Sequence, residues 1–148
     1  FMSFVWRDGS FWLTSSEQRA RMRAIERDPR VSVAVSSVGT SLGRQKSATA
    51  KGRVFIHDDD ETKAWFYPAL AKKVSPDSEE FEAYFNNLLD SPLRTIIAVT
   101  PVKKIMYNSG TAGRHMAGTI EEDEQGERLE ADKVRMNKLR AERGLEER

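Results

Sequence analysis

The sequence has no cysteine and only two histidines, His57 and His115, among its 148 residues. Without cysteine the chain can form neither disulfide bonds nor thiolate metal sites, and the two histidines do not lie at a metal-ligand spacing. No apolar run approaches the roughly 20 residues that span a bilayer, and no signal peptide is visible. We therefore expect no dedicated metal site, no membrane partner and, by default, a cytoplasmic location.

An excess of charge of either sign is also lacking. The chain carries 24 Lys and Arg residues against 23 Asp and Glu residues, which gives a net charge of +1. Such a balance creates no overall field that would attract nucleic acid, so we expect no nucleic-acid partner and only a local anion site. No Ser-His-Asp or Cys-His constellation is present, and we therefore assign no catalytic residue.

The apolar pattern predicts several strands. Asp8-Gly9 lies between two aromatic runs and is the strongest kind of short hairpin signal. Residues 31–35 alternate with period two, as in a half-buried strand. Longer strands are predicted over residues 46–57, where Gly52 indicates a bulge or a close backbone approach, and over residues 94–107, with an interruption at Pro101.

Helices are predicted between these strands. One of the serines in Ser15-Ser16 would cap a helix that ends at Asp28-Pro29. The acidic run from Asp58 would open another helix, and Pro68 inside it predicts two short helical pieces rather than one. Residues 108–118 are rich in glycine and predict a loop.

The order of these elements favours an antiparallel barrel or sheet of the α+β class, mainly β. A doubly wound fold is disfavoured because strands and helices do not alternate regularly, and no glycine-rich nucleotide motif is present. We predict one domain over residues 1–118, followed by a charged C-terminal helix or tail over residues 119–148. The aromatic start at Phe1 is typical of a strand already under way, so we expect residues upstream of this sequence.

The sharpest local feature is the junction between a strand and a basic helix. Thr14, Ser15 and Ser16 lead into a helix that carries Arg19, Arg21 and Arg23. Hydroxyls, free backbone N–H groups and arginines at such a junction suit a phosphate monoester. The residues alone leave a second interpretation open, an ordinary capped helix with a solvated arginine face.

The succession of these segments resembles the pyridoxamine-phosphate-oxidase-like flavin-binding split barrels. The resemblance covers roughly residues 1–107 and is carried by residues 4–9, 11–15, 19–22, 28–33, 50–54 and 94–101. It implies an antiparallel six-stranded split β-barrel with short flanking helices. It also implies a homodimer that holds flavin mononucleotide (FMN) in clefts at the subunit interface.

The resemblance further implies which residues bind the cofactor. Thr14 and Ser15 would bind the phosphate, with Arg19 in the family's basic position and Arg21 assisting. The other implied residues are Phe4, Val5, Trp6 and Leu13 on the first strands, Gln45 and Lys46 near the next strand pair, and Tyr107, which stands where a tryptophan often closes the site.

The function that the resemblance implies is that of an FMN-binding oxidoreductase acting on a small-molecule substrate. The Arg-Leu-His-type substrate motif of the true oxidase is replaced here by Arg114-His115 in a glycine-rich stretch. Oxidation of vitamin B6 phosphate is therefore not expected. Three alternatives stay open: a reductase that uses the deazaflavin coenzyme F420, a non-enzymatic flavin- or haem-binding sensor protein, and a structural dimer with an empty cleft.

Overall fold

The computed structural model describes residues 1–43, 46–127 and 129–146. Its strands are β1 (Val5–Arg7), β2 (Ser10–Ser16), β3 (Arg30–Ser36), β4 (Lys46–His57) and β5 (Arg94–Asn108). Its helices are α1 (Ala20–Arg27), α2 (Asp60–Val74), α3 (Glu79–Leu89), α4 (Ser109–Met116) and α5 (Glu130–Ala141), with a 3-10 turn at Glu122–Glu124. The chain divides into two compact units, Phe1–Tyr107 and Asn108–Arg148. Within the described ranges, no helix is long and apolar enough to cross a membrane.

The strands form one sheet in the order β1-β2-β5-β4-β3, in which β1 pairs with β2, β2 with β5 and β3 with β4, all antiparallel. Asp8 and Gly9 close the first hairpin with φ angles of 50° and 74°, as a tight hairpin turn requires. The predicted α+β class and antiparallel sheet are confirmed. The described residues form five strands rather than six, and β5 runs through Pro101 as a single strand.

Both faces of β5 are covered in its first half. Ile97 and Val99 belong to a core cluster with Phe11, Leu13 and Met22, the last of which comes from α1. Ile96 belongs to a second cluster that α2 and α3 supply, in which Phe66, Tyr67, Leu70 and Leu89 are buried. Since neighbouring residues of a strand point to opposite faces, β5 lies between these two clusters.

The close approach predicted at Gly52 is confirmed. A Cβ atom added at Gly52 would lie 2.4 Å from the carbonyl oxygen of Thr100 on β5. Real Cβ contacts are not that short, so glycine lets β4 and β5 approach at this point.

The predicted division of α2 at Pro68 is wrong, because α2 is continuous from Asp60 to Val74. Pro68 is exposed, whereas Phe66 and Leu70 are 0% and 2% exposed. Proline removes one helical hydrogen bond, but the buried face of the same helix contributes about 1.5–3 kcal/mol for each large apolar side chain. Tertiary burial therefore outweighs the local breaker.

The loop predicted for residues 108–118 is also wrong, because most of this segment forms α4. The side chain of Asn108 accepts hydrogen bonds from the backbone N–H groups of Gly110 (3.1 Å) and Thr111 (3.5 Å). An asparagine cap of this kind stabilises a helix by about 1 kcal/mol, which offsets the cost of one glycine in its interior.

Candidate functional site

The structure brings the hydroxyls and arginines of the strand–helix junction into one pocket. Thr14, Ser15 and Ser16 at the end of β2, and Arg19 and Arg21 beside them, line a pocket of about 220 Å³. Met2 and Arg94 complete its lining. Three arginine and three hydroxyl side chains therefore surround a volume that a phosphate group could enter.

Strand pairing holds the hydroxyl side of the pocket in place. In the register between β2 and β5, Thr14 lies opposite Ile96 and Ser16 lies opposite Arg94. The Thr14 hydroxyl donates to the carbonyl of Thr95 at 3.0 Å, and the buried Ser15 hydroxyl donates to the carbonyl of Ser16 at 3.4 Å. An anion would receive these hydroxyl protons only after the hydroxyls rotate, so the arginines supply most of its attraction.

The helix begins differently from the prediction. Arg19 is the N-cap residue of α1 and makes no side-chain capping hydrogen bond. The predicted serine cap is wrong because Ser15 and Ser16 remain paired in β2, opposite Thr95 and Arg94. The first turn of α1 consequently offers backbone N–H groups that no N-cap side chain occupies, at the positive end of the helix dipole.

The electrostatics of the pocket favour an anion. Among the described residues that line it there is no carboxylate, and Arg21 donates to the sulfur of Met2, which is a weak acceptor. Three guanidinium groups in one lining repel each other unless an anion lies between them. A phosphate monoester would accept charge-assisted hydrogen bonds from each of them.

Arg94 is the residue of this pocket that sequence reasoning missed. It begins β5, far along the chain from β2, and is half-buried. Nothing in the residues around it indicates an anion site. Only the pairing of Ser16 with Arg94 brings it to the pocket, so a prediction of the β2–β5 register would have been needed to find it.

The cofactor-binding residues that the resemblance implies on the first strands do not line this pocket. Leu13 is 9% exposed and packs in the core, where Phe4 also packs with its ring centroid 5.2 Å from that of Phe11. Val5 is half-buried against the second cluster. The side chains of these residues are engaged in packing, so contact with a ligand would involve mainly their backbone atoms.

Three further predicted residues are exposed. Trp6 is 46% exposed, and the ammonium group of Lys104 lies 5.6 Å from its ring centroid. Lys46 begins β4 and Tyr107 lies near the end of β5 with 57% exposure. Gln45 lies outside the described residues. Trp6, Lys46 and Tyr107 are therefore accessible to a ligand, but they do not line the pocket of the three arginines.

His57 and the acids that follow it have a structural role. Asp59 is the N-cap residue of α2 and accepts a hydrogen bond from the Thr62 N–H at 2.7 Å, which lowers the pKa of its carboxyl. The His57 Nδ1 atom lies 3.6 Å from the Asp59 carboxylate. Among the residues that the structure describes, no group of three His, Asp or Glu side chains is placed to hold a metal ion.

Several solved structures are similar to this chain. A conserved hypothetical protein from Mycobacterium tuberculosis matches with a TM-score of 0.59 and 17% identity, over 76% of this chain and 69% of that chain. An FAD-binding protein from Mesorhizobium loti matches with a TM-score of 0.50 and 17% identity, over 71% and 70%. The haem storage protein HutZ from Vibrio cholerae matches with a TM-score of 0.50 and 14% identity, over 72% of each chain.

No protein-family model and no curated protein matches the chain. Structural likeness at such low identity shows the fold alone, and that fold agrees with the sheet order and the flanking helices described above. The chain therefore has an antiparallel split-barrel fold with flanking helices, the fold that the sequence resemblance implied.

Proposed function

We propose that the protein binds FMN and that the arginine pocket holds its phosphate group. The observation that carries the proposal is the convergence of Arg19, Arg21 and Arg94 with three hydroxyls around about 220 Å³. A phosphate monoester carries nearly two negative charges and several acceptor oxygens, which this lining matches in charge and in donors. A neutral ligand would leave the guanidinium charges uncompensated.

The proposed activity is that of an oxidoreductase with a small-molecule substrate. Bound flavin would supply the redox chemistry, and the chain's own residues would bind it, orient it and shield it from water. The FAD-binding protein of the same fold supports a flavin-type cofactor. In this proposal the backbone of β1, with the exposed Trp6 ring, lies beside the flavin ring.

We propose further that the active species is a homodimer. Large apolar side chains are exposed on β4 and on the second half of β5: Phe55 (56%), Ile56 (46%), Val102 (75%), Ile105 (50%) and Met106 (80%). A concentration of exposed apolar residues on a sheet is typical of a protein–protein interface. A second copy of the chain would bury these residues and could form one wall of the cofactor cleft.

The phosphate assignment is tested by titrating the protein with FMN and following flavin fluorescence. We expect Arg94→Ala and Arg19→Ala each to weaken FMN binding about tenfold to a hundredfold, since a hydrogen bond to a charged group contributes about 1.5–3 kcal/mol. Arg23→Ala is the matched control, because Arg23 is an exposed arginine of the same helix outside the pocket lining. If Arg94→Ala and Arg19→Ala bind FMN as tightly as Arg23→Ala does, the pocket does not hold the phosphate group.

The same titration with the deazaflavin coenzyme F420 distinguishes the proposed FMN-dependent oxidoreductase from the F420-dependent reductase. A clear preference for FMN supports the flavin oxidoreductase, whereas a preference for deazaflavin moves the protein to the alternative cofactor with the same phosphate pocket. Saturable haem binding without flavin binding would support the storage or sensor alternative. Turnover with a reductant and an acceptor then distinguishes an enzyme from a sensor.

A further inference from the structure

The outer face of α3 carries a row of large apolar side chains. Phe81, Tyr84 and Leu88, which we call the α3 row, are 45%, 63% and 48% exposed. Their spacing of three and four residues places them along one side of the helix, whereas Phe85 and Leu89 pack into the second core cluster. Exposed apolar anchors at this helical spacing are typical of a surface that packs against another protein.

The charge of α3 limits what can cover this row. The helix carries Glu79, Glu80 and Glu82 in its first turn and contains no lysine or arginine. Glu80 lies one turn before Tyr84 and therefore beside the α3 row. Two copies of α3 packed row against row would bring their carboxylates together, and like charges repel each other. A surface that combines apolar side chains with positive charge fits the α3 row better than a second α3.

The exposed half of β5 has that combination. Neighbouring residues of a strand alternate between its faces, so Val102, Lys104 and Met106 share one face, which we call the Lys104 face. Val102 and Met106 are 75% and 80% exposed, and β5 contains no carboxylate. Among the described residues, neither Glu80 nor Lys104 takes part in a salt bridge. Two Lys104 faces packed together would bring their ammonium groups together, so this face also fits a different surface better than its own copy.

The two surfaces also match in length. From Phe81 to Leu88 the α3 row spans about 10 Å, at 1.5 Å per helical residue. From Val102 to Met106 the Lys104 face spans about 13 Å, at 3.3 Å per residue of a strand. Both surfaces belong to the unit Phe1–Tyr107, and both are exposed in one chain, so they do not cover each other within it.

We propose that in the homodimer the α3 row of each subunit packs across the Lys104 face of the other. This inference rests on the dimer proposed above and states which surfaces join its subunits. Each of the two symmetric contacts pairs Glu80 with Lys104 of the partner subunit and buries the apolar side chains beside them. The Lys104 ammonium group lies 5.6 Å from the Trp6 ring centroid. The contact therefore brings the partner subunit's α3 to the edge of the proposed flavin cleft.

The apolar part of the contact is tested at Tyr84. Tyr84→Ala should weaken dimerisation about tenfold, because aromatic side chains contribute strongly to protein interfaces, whereas Tyr84→Phe keeps the ring and should dimerise like the unchanged protein. Sedimentation velocity over a range of protein concentrations measures both dissociation constants. Equal dimerisation of the alanine and phenylalanine variants would contradict the role assigned to the α3 row.

The pairing of the two surfaces is tested by charge reversal with the same measurement. Glu80→Lys and Lys104→Glu should each weaken dimerisation about tenfold, since like charges then face each other in both contacts. An equimolar mixture of the two variants should form the dimer again, because both contacts of the mixed dimer join opposite charges. Circular dichroism of each variant shows whether its fold is unchanged.

Two matched controls reverse a charge on the other side of each element. Glu79 lies on the side of α3 toward Pro68 of α2, and Lys103 lies on the opposite face of β5, so Glu79→Lys and Lys103→Glu should dimerise like the unchanged protein. A dimer that neither Glu80→Lys nor Lys104→Glu weakens, or that the mixture does not restore, would overturn this contact alone. A monomeric unchanged protein would overturn the proposed dimer as well, whereas FMN titration of the arginine variants tests the phosphate pocket separately.

Discussion

The two halves of β5 have the same secondary structure but differ in burial and in packing. In the first half, the five residues from Thr95 to Val99 are all buried, with Ile96 at 0% and Ile97 at 4% exposure. In the second half, residues 102–107 are all exposed, and Met106 reaches 80%. The first half lies between the two core clusters, whereas the pairing of β2 with β5 extends only to Val99.

This difference shows that an apolar strand can serve two separate purposes. The first half contributes to the stability of the barrel and positions Arg94 at the arginine pocket. The second half contributes little to the core of one chain, and its apolar side chains are available to a second copy. Mutations in the two halves should therefore act on different measurements.

The largest effect on stability is expected from Ile96→Ala. Truncating a fully buried isoleucine costs about 2–5 kcal/mol, because the lost apolar burial is accompanied by a cavity. The free energy of unfolding from urea titrations at fixed protein concentration measures this loss. Met106→Ala is the matched change in the second half and should alter the stability of the folded chain by less than about 0.5 kcal/mol. Similar losses in both variants would abolish the contrast between the halves.

The next largest effect is expected at the joint between the halves. Gly52→Ala places a Cβ atom against the carbonyl of Thr100 and should cost about 1–3 kcal/mol, because the backbone of two paired strands must separate. Gly113→Ala is the control, since nothing lies within 4 Å of an added Cβ in α4 and alanine favours a helix. If Gly52→Ala unfolds at the same urea concentration as the unchanged protein, the close approach of β4 and β5 does not contribute to the free energy of unfolding.

Ile105→Lys should have the smallest effect on the stability of the folded chain. It should nevertheless have a large effect on dimer formation. A charge on the exposed apolar half should convert the proposed dimer to a monomer in sedimentation velocity, while circular dichroism shows an unchanged fold. Lys103→Gln, an exposed change on the same strand, should leave the sedimentation coefficient unaltered. A dimer that persists in Ile105→Lys would show that another surface joins the subunits.

Local sequence signals predicted several elements correctly because they act within a few residues. Asp8-Gly9 specifies a tight turn through its positive φ angles, and the alternation of residues 31–35 specifies a half-buried strand. Predictions failed where a distant partner decides the outcome. Pro68 breaks no helix because the opposite face of α2 is buried against β5 and α3. The loop prediction for residues 108–118 failed for a local reason instead, because the Asn108 side chain caps α4, Ser109–Met116.

The candidate site divides in the same way. Thr14, Ser15, Arg19 and Arg21 were identified from the sequence, since a strand–helix junction keeps neighbours in the chain close in space. Arg94 could not be found, because it comes from β5 and meets the other lining residues only in the folded chain.

The sequence by itself determined the secondary-structure pattern of the barrel, the turn at Asp8-Gly9, the absence of cysteine chemistry and the cluster of hydroxyls and arginines at the start of α1. The tertiary structure alone decided which arginine joins that cluster from β5 and which half of β5 stays exposed. The physical reason is range: turns, caps and alternation depend on neighbouring residues, whereas burial and charge convergence depend on segments brought together by strand pairing and packing.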